Sequence, residues 1–510
     1  MADRTAKVAR NSVVGIVSQL AMFGVGLVYR TVFIYFLGVE YLGAQSLFGD
    51  VLNLLSLAEF GIASAILFSL YAPLAQGDHA RSAALLLLYK RLYRVVGLVV
   101  LVVGAAATPF VHHLVKPGTE LPHFQLIYLL LLLDVVVGYW SAYRKSVFIA
   151  DQQEYRVTLS NAAFTVGRYV VQGLVLMATG SFLLTLVIKV VGTLATNLYQ
   201  SWLAGRAYPE IFSQQPRRLE KDFLKDHFRK MRALMLHKIS GLVLNATDTI
   251  LIARFFGLGP AGIYSNYLLI VGMVTSMIYQ VANATTASVG HLLATESRER
   301  GYRIFRLLEF GYTWVYTFTT LSLLTLLNPF LELWLGAEFT FDTTVVVGIC
   351  LTYYIVGRGA GVQAFRNARG LFWNDRYRGP AEAVLNIVLS LLLLHELGIA
   401  GVFFGTVLSH ALLSVWIEPY VVFKHYFARP VRGYLLARAV EVVELAILAV
   451  PLLWLQSVLD GGSFVDFLAL ALACLVLING ALWVRHGRSW QYRQARERVS
   501  AAVQARRGSA

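Results

Sequence analysis

The sequence predicts an all-α integral membrane protein of about 14 transmembrane helices, arranged as two pseudo-symmetric six-helix lobes plus two C-terminal helices. Composition is the first reason. Of 510 residues, 57% are hydrophobic and 14% charged, against roughly 45–50% and about 25% in soluble domains, and the mean hydropathy is +0.62. The second is a succession of apolar runs, each long enough to cross the ~30 Å hydrocarbon core, which takes ~20 helical residues. The third is the placement of charge. Lys and Arg gather in every second connection and in both tails, the bias that orients spans in a bilayer.

The same numbers exclude other classes. Thirty Phe, 26 Tyr and 9 Trp are incompatible with a disordered chain. Cys350 and Cys474 both lie in apolar runs, so neither a disulfide framework nor a Cys-based zinc site is expected. No Walker A, H-E-x-x-H or G-x-S-x-G sequence occurs, so an enzyme, a resident cofactor or direct use of ATP is not expected either. The +15 net charge reads as a topology signal with some attraction to anionic lipid, not as a nucleic-acid footprint.

In order, the spans fall at 12–37, 43–70, 92–114, 123–149, 156–178, 181–205, 235–257, 261–290, 305–328, 343–365, 379–397, 399–424, 435–457 and 463–484. The first run is too long for a signal-peptide core of about 7–15 residues and lacks a small-residue cleavage site, so it is read as an uncleaved span. The expected organisation is a lobe at 1–205, a cytoplasmic or interfacial connection at 206–234 and a second lobe at 235–425. Two appended helices at 426–486 and a basic cytoplasmic tail at 487–510 complete it. In the 206–234 connection Leu219, Phe223, Leu224, Phe228 and Met231 alternate with Lys221, Lys225, Arg229 and Lys230, a pattern shared by a surface-lying amphipathic helix and a solvated loop.

Orientation follows from the basic clusters. Arg4 to Arg10, Lys90 to Arg94, Arg144 to Arg156, Arg217 to Arg232, Arg298 to Arg306, Arg366 to Arg378, Lys424 to Arg438 and Arg485 to Arg507 all fall on one side. The other side carries Lys116 beside Glu40, Glu120, Glu332, Glu338, Asp342, Glu396, Asp460 and Asp466. Both termini are therefore expected in the cytoplasm.

An internal repeat sets the lobes. Phe36-Leu37-Gly38, Gly43 and Ser46 at the end of the first span recur as Phe255-Phe256-Gly257, Gly262 and Ser265 at an offset of 219 residues. Gly180 recurs as Gly398 at an offset of 218. A six-span unit returns the chain to its starting side, so the repeats are expected to be parallel, related by an axis along the membrane normal.

Charges within the spans are the candidate site, since ionisable groups at depth face a cavity or a partner. At ~1.5 Å rise per residue, Arg254 lies ~5 Å from the outer end of its span, Asp50 ~10 Å, Arg30 and Lys189 ~12 Å, and Asp248 ~14 Å. Arg168 and Asp134 lie at ~16 Å, near the midplane, and Arg358 at ~22 Å, within Gly357-Arg358-Gly359-Ala360-Gly361. Glu59 falls in the inner half of the second span, and Glu309, Glu382 and Glu418 fall near the inner interface. Two readings stay open. Arg30 with Asp50 and Arg168 with Asp134 form pairs that lock helices, with Arg254 snorkelling outward. Alternatively, Arg30, Arg168, Lys189, Arg254 and Arg358 line a site for a phosphate-bearing anion, with Asp50, Asp134 and Asp248 as ion carriers or charge partners.

Several segments are familiar. Leu37-Gly38-Val39-Glu40-Tyr41-Leu42-Gly43, Ser56-Leu57-Ala58-Glu59-Phe60-Gly61, Phe68-Ser69-Leu70-Tyr71, Asn245-Ala246-Thr247-Asp248 and Tyr264-Ser265-Asn266-Tyr267 are five of them. Others are Leu327-Asn328-Pro329-Phe330, Leu333-Trp334-Leu335-Gly336, Gly370-Leu371-Phe372-Trp373-Asn374-Asp375-Arg376-Tyr377 and Trp416-Ile417-Glu418-Pro419-Tyr420. Over about residues 25–425 the chain resembles the bacterial polysaccharide-unit (O-antigen, capsule, exopolysaccharide) flippases of the multidrug/oligosaccharidyl-lipid/polysaccharide exporter superfamily. The resemblance implies a MATE-like fold in the bacterial cytoplasmic membrane, moving an undecaprenyl-pyrophosphate-linked oligosaccharide from the cytoplasmic to the outer leaflet. It implies a polymerase and glycosyltransferases as pathway partners and possible coupling to Na+ or H+. Related lipid II flippases share an Arg on span one and an Asp on span two, the pattern of Arg30 and Asp50. Their cation on span eight has no counterpart here, where Asn283, Thr285 and Thr286 stand. A cation-coupled multidrug antiporter of the same superfamily and a non-transporting scaffold for glycosyltransferases remain the alternatives.

Overall fold

Apolar runs that must satisfy their own backbone hydrogen bonds in lipid become helices, and among the described residues there is no strand. The computed structural model describes residues 2–56, 59–140, 142–217, 219–459 and 463–507, leaving aside most side chains of 229–245 and 281–295. The first half holds α1 (Ala2–Leu37), α2 (Val39–Leu55), α3 (Glu59–Ala75), α4 (His79–Ala107), α5 (Phe124–Tyr139), α6 (Ala142–Ala150), α7 (Glu154–Thr179), α8 (Phe182–Ala207), α9 (Pro209–Phe212) and α10 (Lys221–Phe255). Then follow α11 (Leu258–Thr295), α12 (Arg298–Leu335), α13 (Thr343–Gly357), α14 (Ala360–Arg369), α15 (Arg378–Leu397), α16 (Ile399–Leu412) and α17 (Ser414–Val422). The chain ends with α18 (Arg432–Leu459), α19 (Phe464–Ala473), α20 (Asn479–His486) and α21 (Trp490–Arg507).

Among the described residues eleven helical stretches are long and apolar enough to cross a membrane, and α5 with α6, bent by 48°, makes a twelfth. The protein is multi-pass. Two more of the expected fourteen, the second and the seventh, run over residues outside the described side chains. The second span, 43–70, takes in most of α2 and of α3, with 57–58 between them outside the described residues. The seventh, 235–257, is the C-terminal part of the 35-residue α10, whose first turns are charged. The amphipathic stretch from Lys221 is thus continuous with that span in one helix. Glu59, Asn283, Thr285 and Thr286 lie outside the described side chains.

The chain forms two compact units, Met1–Ser265 and Asn266–Ala510. Within the first, α10 packs against α2 and α3. In that unit α1 lies on α7, α7 on α8, and α5 between α4 and α8. In the second unit α15 lies on α16, α13 on α16, and α12 carries α13, α18 and α19. A buried aromatic cluster of Phe305, Phe365, Phe423, Tyr426 and Phe427 joins one end of α12 to α14 and the turn after α17.

The local devices that start and stop helices recur along the chain. Asp78 caps α4 by accepting from the Arg81 amide, and Ser297, 219 residues on, caps α12 by accepting from Arg300. His123 and Asp342 occupy the N-cap positions of α5 and α13 at the same offset. Gly38 and Gly257 have φ of 83° and 105°, Gly180 and Gly398 of 61° and 58°, the left-handed region that glycine enters without strain. The break between α5 and α6 recurs between α13 and α14. At the start of α11, still within the first unit, the glycines repeated in sequence meet each other. A Cβ on Gly43 would lie 1.9 Å from the Leu258 carbonyl oxygen, and one on Gly262 2.1 Å from that of Val39. The contact is reciprocal, as in a two-fold pairing.

Candidate functional site

In the first unit, apolar faces of α1 and α7 bring two arginines to one crossing. Tyr29 of α1 stacks on Tyr169 of α7 with ring centroids 5.0 Å apart, so the next residue on one helix, Arg30, and the preceding one on the other, Arg168, flank the pair. The Arg30 guanidinium donates to Ser265 Oγ, whose hydroxyl donates to the Gly262 carbonyl at 2.6 Å. The Tyr169 phenol stands within electrostatic reach of Arg30. Arg168 lays its stem along Gly192 of α8, where a Cβ would come within 2.9 Å of Arg168 Cδ. Its Nε is buried without a hydrogen-bond partner.

The pairing of Arg168 with Asp134 allowed by the sequence is not formed. Asp134 of α5 is taken by two residues one turn apart on α8: Lys189 Nζ at 3.4 Å and the Thr193 hydroxyl, which donates at 2.5 Å. Lys189 is thereby compensated, whereas no carboxylate pairs with Arg168 among the described residues. Asp50 of α2 lies against the fully buried Thr249 of α10. Asp248, 5% exposed, and Asp50 both act electrostatically on Tyr264 at the start of α11. Asp50 and Asp248 therefore share one polar locality. Arg254 stands apart, exposed in the last turn of α10, where a cation complements the helix dipole.

The tandem offset does not extend to these charges. At the positions 219 or 218 residues beyond Arg30, Asp50, Asp134, Arg168 and Lys189 stand Thr249, Leu269, Tyr353, Asn386 and Val407. Caps, turns and helix breaks recur in the second half, and these charges do not.

In the second unit Arg358, at the end of α13, is buried and held by carboxylates through Nη2, its Nε and Nη1 being buried without a hydrogen-bond partner. It meets Glu441 Oε2 at 3.0 Å and Glu309 Oε2 at 3.6 Å and donates to the Thr313 hydroxyl at 2.6 Å. Arg438 binds the same two carboxylates. Glycine makes room for this junction, since a Cβ on Gly361 would lie 1.9 Å from Glu309 Oε1. Two arginines balance two glutamates, so Arg358 ties α13 to α12 and α18. Glu441 and Arg438 carry no local signal, because both are ordinary residues at the start of an apolar helix.

A second buried cluster joins α14, α15, α16 and α17. Arg366 pairs with Glu418 at 2.6 Å and Asp375 at 3.0 Å. Arg378 pairs with Glu418 at 2.7 Å and Glu382 at 2.8 Å, and His410 Nδ1 lies 2.6 Å from Glu382 Oε1. Within it Arg378 pairs with Glu382 four residues on and Asp375 three residues back, and the other pairs join residues farther apart in sequence. Breaking a buried pair by removing one partner costs about 3–5 kcal/mol, and Glu418 serves two arginines. Glu418→Ala is expected to lower the melting temperature in detergent by many degrees, more than Arg254→Ala does. Equal melting of the two variants would show the cluster to be energetically idle.

Residues 8–287, more than half of the chain, match the family described as polysaccharide biosynthesis protein. The chain belongs to that family. No curated protein matches it significantly. Solved structures share its fold. A structure described as the lipid II flippase MurJ in an inward closed conformation aligns with a TM-score of 0.65 and 12% identity, covering 93% of this chain and 98% of that one. The Vibrio cholerae MATE transporter VcmN, as a mutant, aligns with a TM-score of 0.57 and 14% identity over 84% of this chain and 100% of that one. An inward-facing multidrug resistance MATE family transporter of the MOP superfamily aligns at 0.55 and 14%, over 81% and 97%. This polysaccharide biosynthesis family member thus has the MATE-like fold expected from its sequence.

Proposed function

We propose that the protein is a flippase that moves undecaprenyl-pyrophosphate-linked oligosaccharide repeat units from the cytoplasmic to the outer leaflet by alternating access, for polysaccharide export. The observation that carries this reading is Arg168, a guanidinium on a membrane helix whose potential counter-ion, Asp134, is consumed by Lys189. A charge at the bilayer centre costs roughly 2.5–3.5 kcal/mol on lenient scales, and the corresponding position of the second half, Asn386, carries none. An anionic ligand offsets that cost. Arg30 and Arg168 receive the pyrophosphate, for which the planar guanidinium fork is suited, while the polyprenyl tail stays in lipid. Family membership supports a polysaccharide precursor as the cargo.

A carrier that binds both end states equally drives no net movement. Direction comes from consumption of product outside, by a polymerase, or from a coupled Na+ or H+. Asp134 is held by Lys189, and Asp50 and Asp248, which both act on Tyr264, are the candidate coupling carboxylates. The protein resides in the bacterial cytoplasmic membrane with both termini in the cytoplasm, and glycosyltransferases supply its substrate.

The test is reconstitution into liposomes containing a lipid-linked oligosaccharide, followed by attack on the glycan with a membrane-impermeant sugar oxidant. Protein-containing vesicles are expected to expose the inner-leaflet fraction that protein-free vesicles protect. Equal protection in both, with a pH-gradient-driven efflux of cationic dyes, would replace the flippase by an antiporter.

A further inference from the structure

We propose that the turn between α14 and α15 is a docking site for an anionic phospholipid headgroup. Trp373 and Tyr377 on this turn are each 72% exposed. Between them lies Arg376, its guanidinium carbon 4.2 Å from one ring centroid and 4.5 Å from the other. Its Nη1 donates to the Trp373 carbonyl at 2.9 Å. Arg366 and Arg378, on either side in sequence, are held by buried carboxylates. Among the described residues no carboxylate pairs with Arg376.

The turn is fixed from beneath. Asp375 is 5% exposed and pairs with Arg366 at 3.0 Å and Arg378 at 3.3 Å. Its neighbours are therefore presented outward on a rigid support, which lowers the ordering cost of binding. Asn374 Nδ2 meets His425 Nε2 at 3.2 Å, joining the turn to a second cation and aromatic pair, Lys424 with Tyr420.

Charge complementarity selects the occupant. The Lys/Arg asymmetry assigns this connection to the cytoplasmic side, where the leaflet carries anionic lipid. Trp and Tyr rings reside at headgroup level, and a guanidinium contacts a phosphodiester through two parallel donors. A zwitterionic lipid offers the same phosphodiester but brings its own cation, so it adds no net negative charge to balance Arg376. This inference does not depend on what the protein transports.

Native mass spectrometry of the purified full-length protein, released from micelles holding equal phosphatidylglycerol and phosphatidylcholine, tests it. Wild type is expected to retain phosphatidylglycerol preferentially. Arg376→Ala, and separately Trp373→Ala with Tyr377→Ala, are expected to lose one tightly bound phosphatidylglycerol, weakening its retention at least tenfold with unchanged melting temperature. Arg376→Lys should fall between. Equal retention of the two lipids by wild type, or unchanged phosphatidylglycerol retention in both alanine variants, overturns the proposal. So does displacement of the lipid by millimolar inorganic phosphate, which would mark a simple anion site.

Discussion

Cells whose only copy carries Arg30→Ala and Arg168→Ala together are expected to lose surface polysaccharide, at normal levels of the protein in the membrane, with lipid-linked units trapped on the inner leaflet. Hydrogen bonds to charged groups contribute about 1.5–3 kcal/mol each, so removing both guanidinium groups predicts at least a hundredfold loss of transport at about 1.4 kcal/mol per decade. Lysine at either position keeps the charge and loses the fork, and should restore only part. Gly192 refines this expectation. A methyl there would push on Arg168 Cδ at 2.9 Å without meeting backbone, so Gly192→Ala should re-aim Arg168 and reduce transport while the protein remains folded. Combined with Arg168→Ala it should add nothing further, the signature of a residue acting through its partner. Leaflet accessibility of the lipid-linked unit is the deciding measurement. Normal outer exposure in the stably expressed double arginine variant would make these residues structural.

Gly43→Val is expected to be the most destabilising single change outside the charge clusters. Even alanine would place its Cβ 1.9 Å from the Leu258 carbonyl oxygen and 3.0 Å from the Gly262 nitrogen. That contact is backbone against backbone, so neither side can swing away as a side chain does. Overpacking typically costs about 1–3 kcal/mol and at times more, and valine adds two methyl groups to an already forbidden atom. Gly262→Ala should behave alike, because its Cβ meets the Val39 carbonyl oxygen at 2.1 Å. Gly24→Ala on α1 is the control, with nothing within 4 Å of the added atom. Melting temperatures in one detergent compare the three. A Gly43→Ala protein that melts with the Gly24→Ala control would mean the helices cross more loosely than described.

Membrane class, most spans and the tandem register were legible along the chain because each depends on neighbours in sequence. An apolar run of helical length has one stable conformation in lipid. A glycine at a positive-φ turn or a cap before a helix is likewise a local device, so Gly38 with Gly257 announced the register that Asp78 with Ser297 repeats.

The sequence by itself determined that Arg30, Arg168, Lys189, Arg254, Arg358, Asp50, Asp134 and Asp248 fall within apolar runs. It did not determine which of them neutralise one another. Asp134 and Arg168 have similar depths, yet Lys189 and Thr193 take the carboxylate because α8 turns that face toward α5. Arg358 finds Glu309 and Glu441, one on α12 and the other on α18. Salt-bridge geometry requires atoms within a few ångströms, which depends on the rotation of each helix about its axis. That rotation is set by how whole helices pack, and only the tertiary structure decided it.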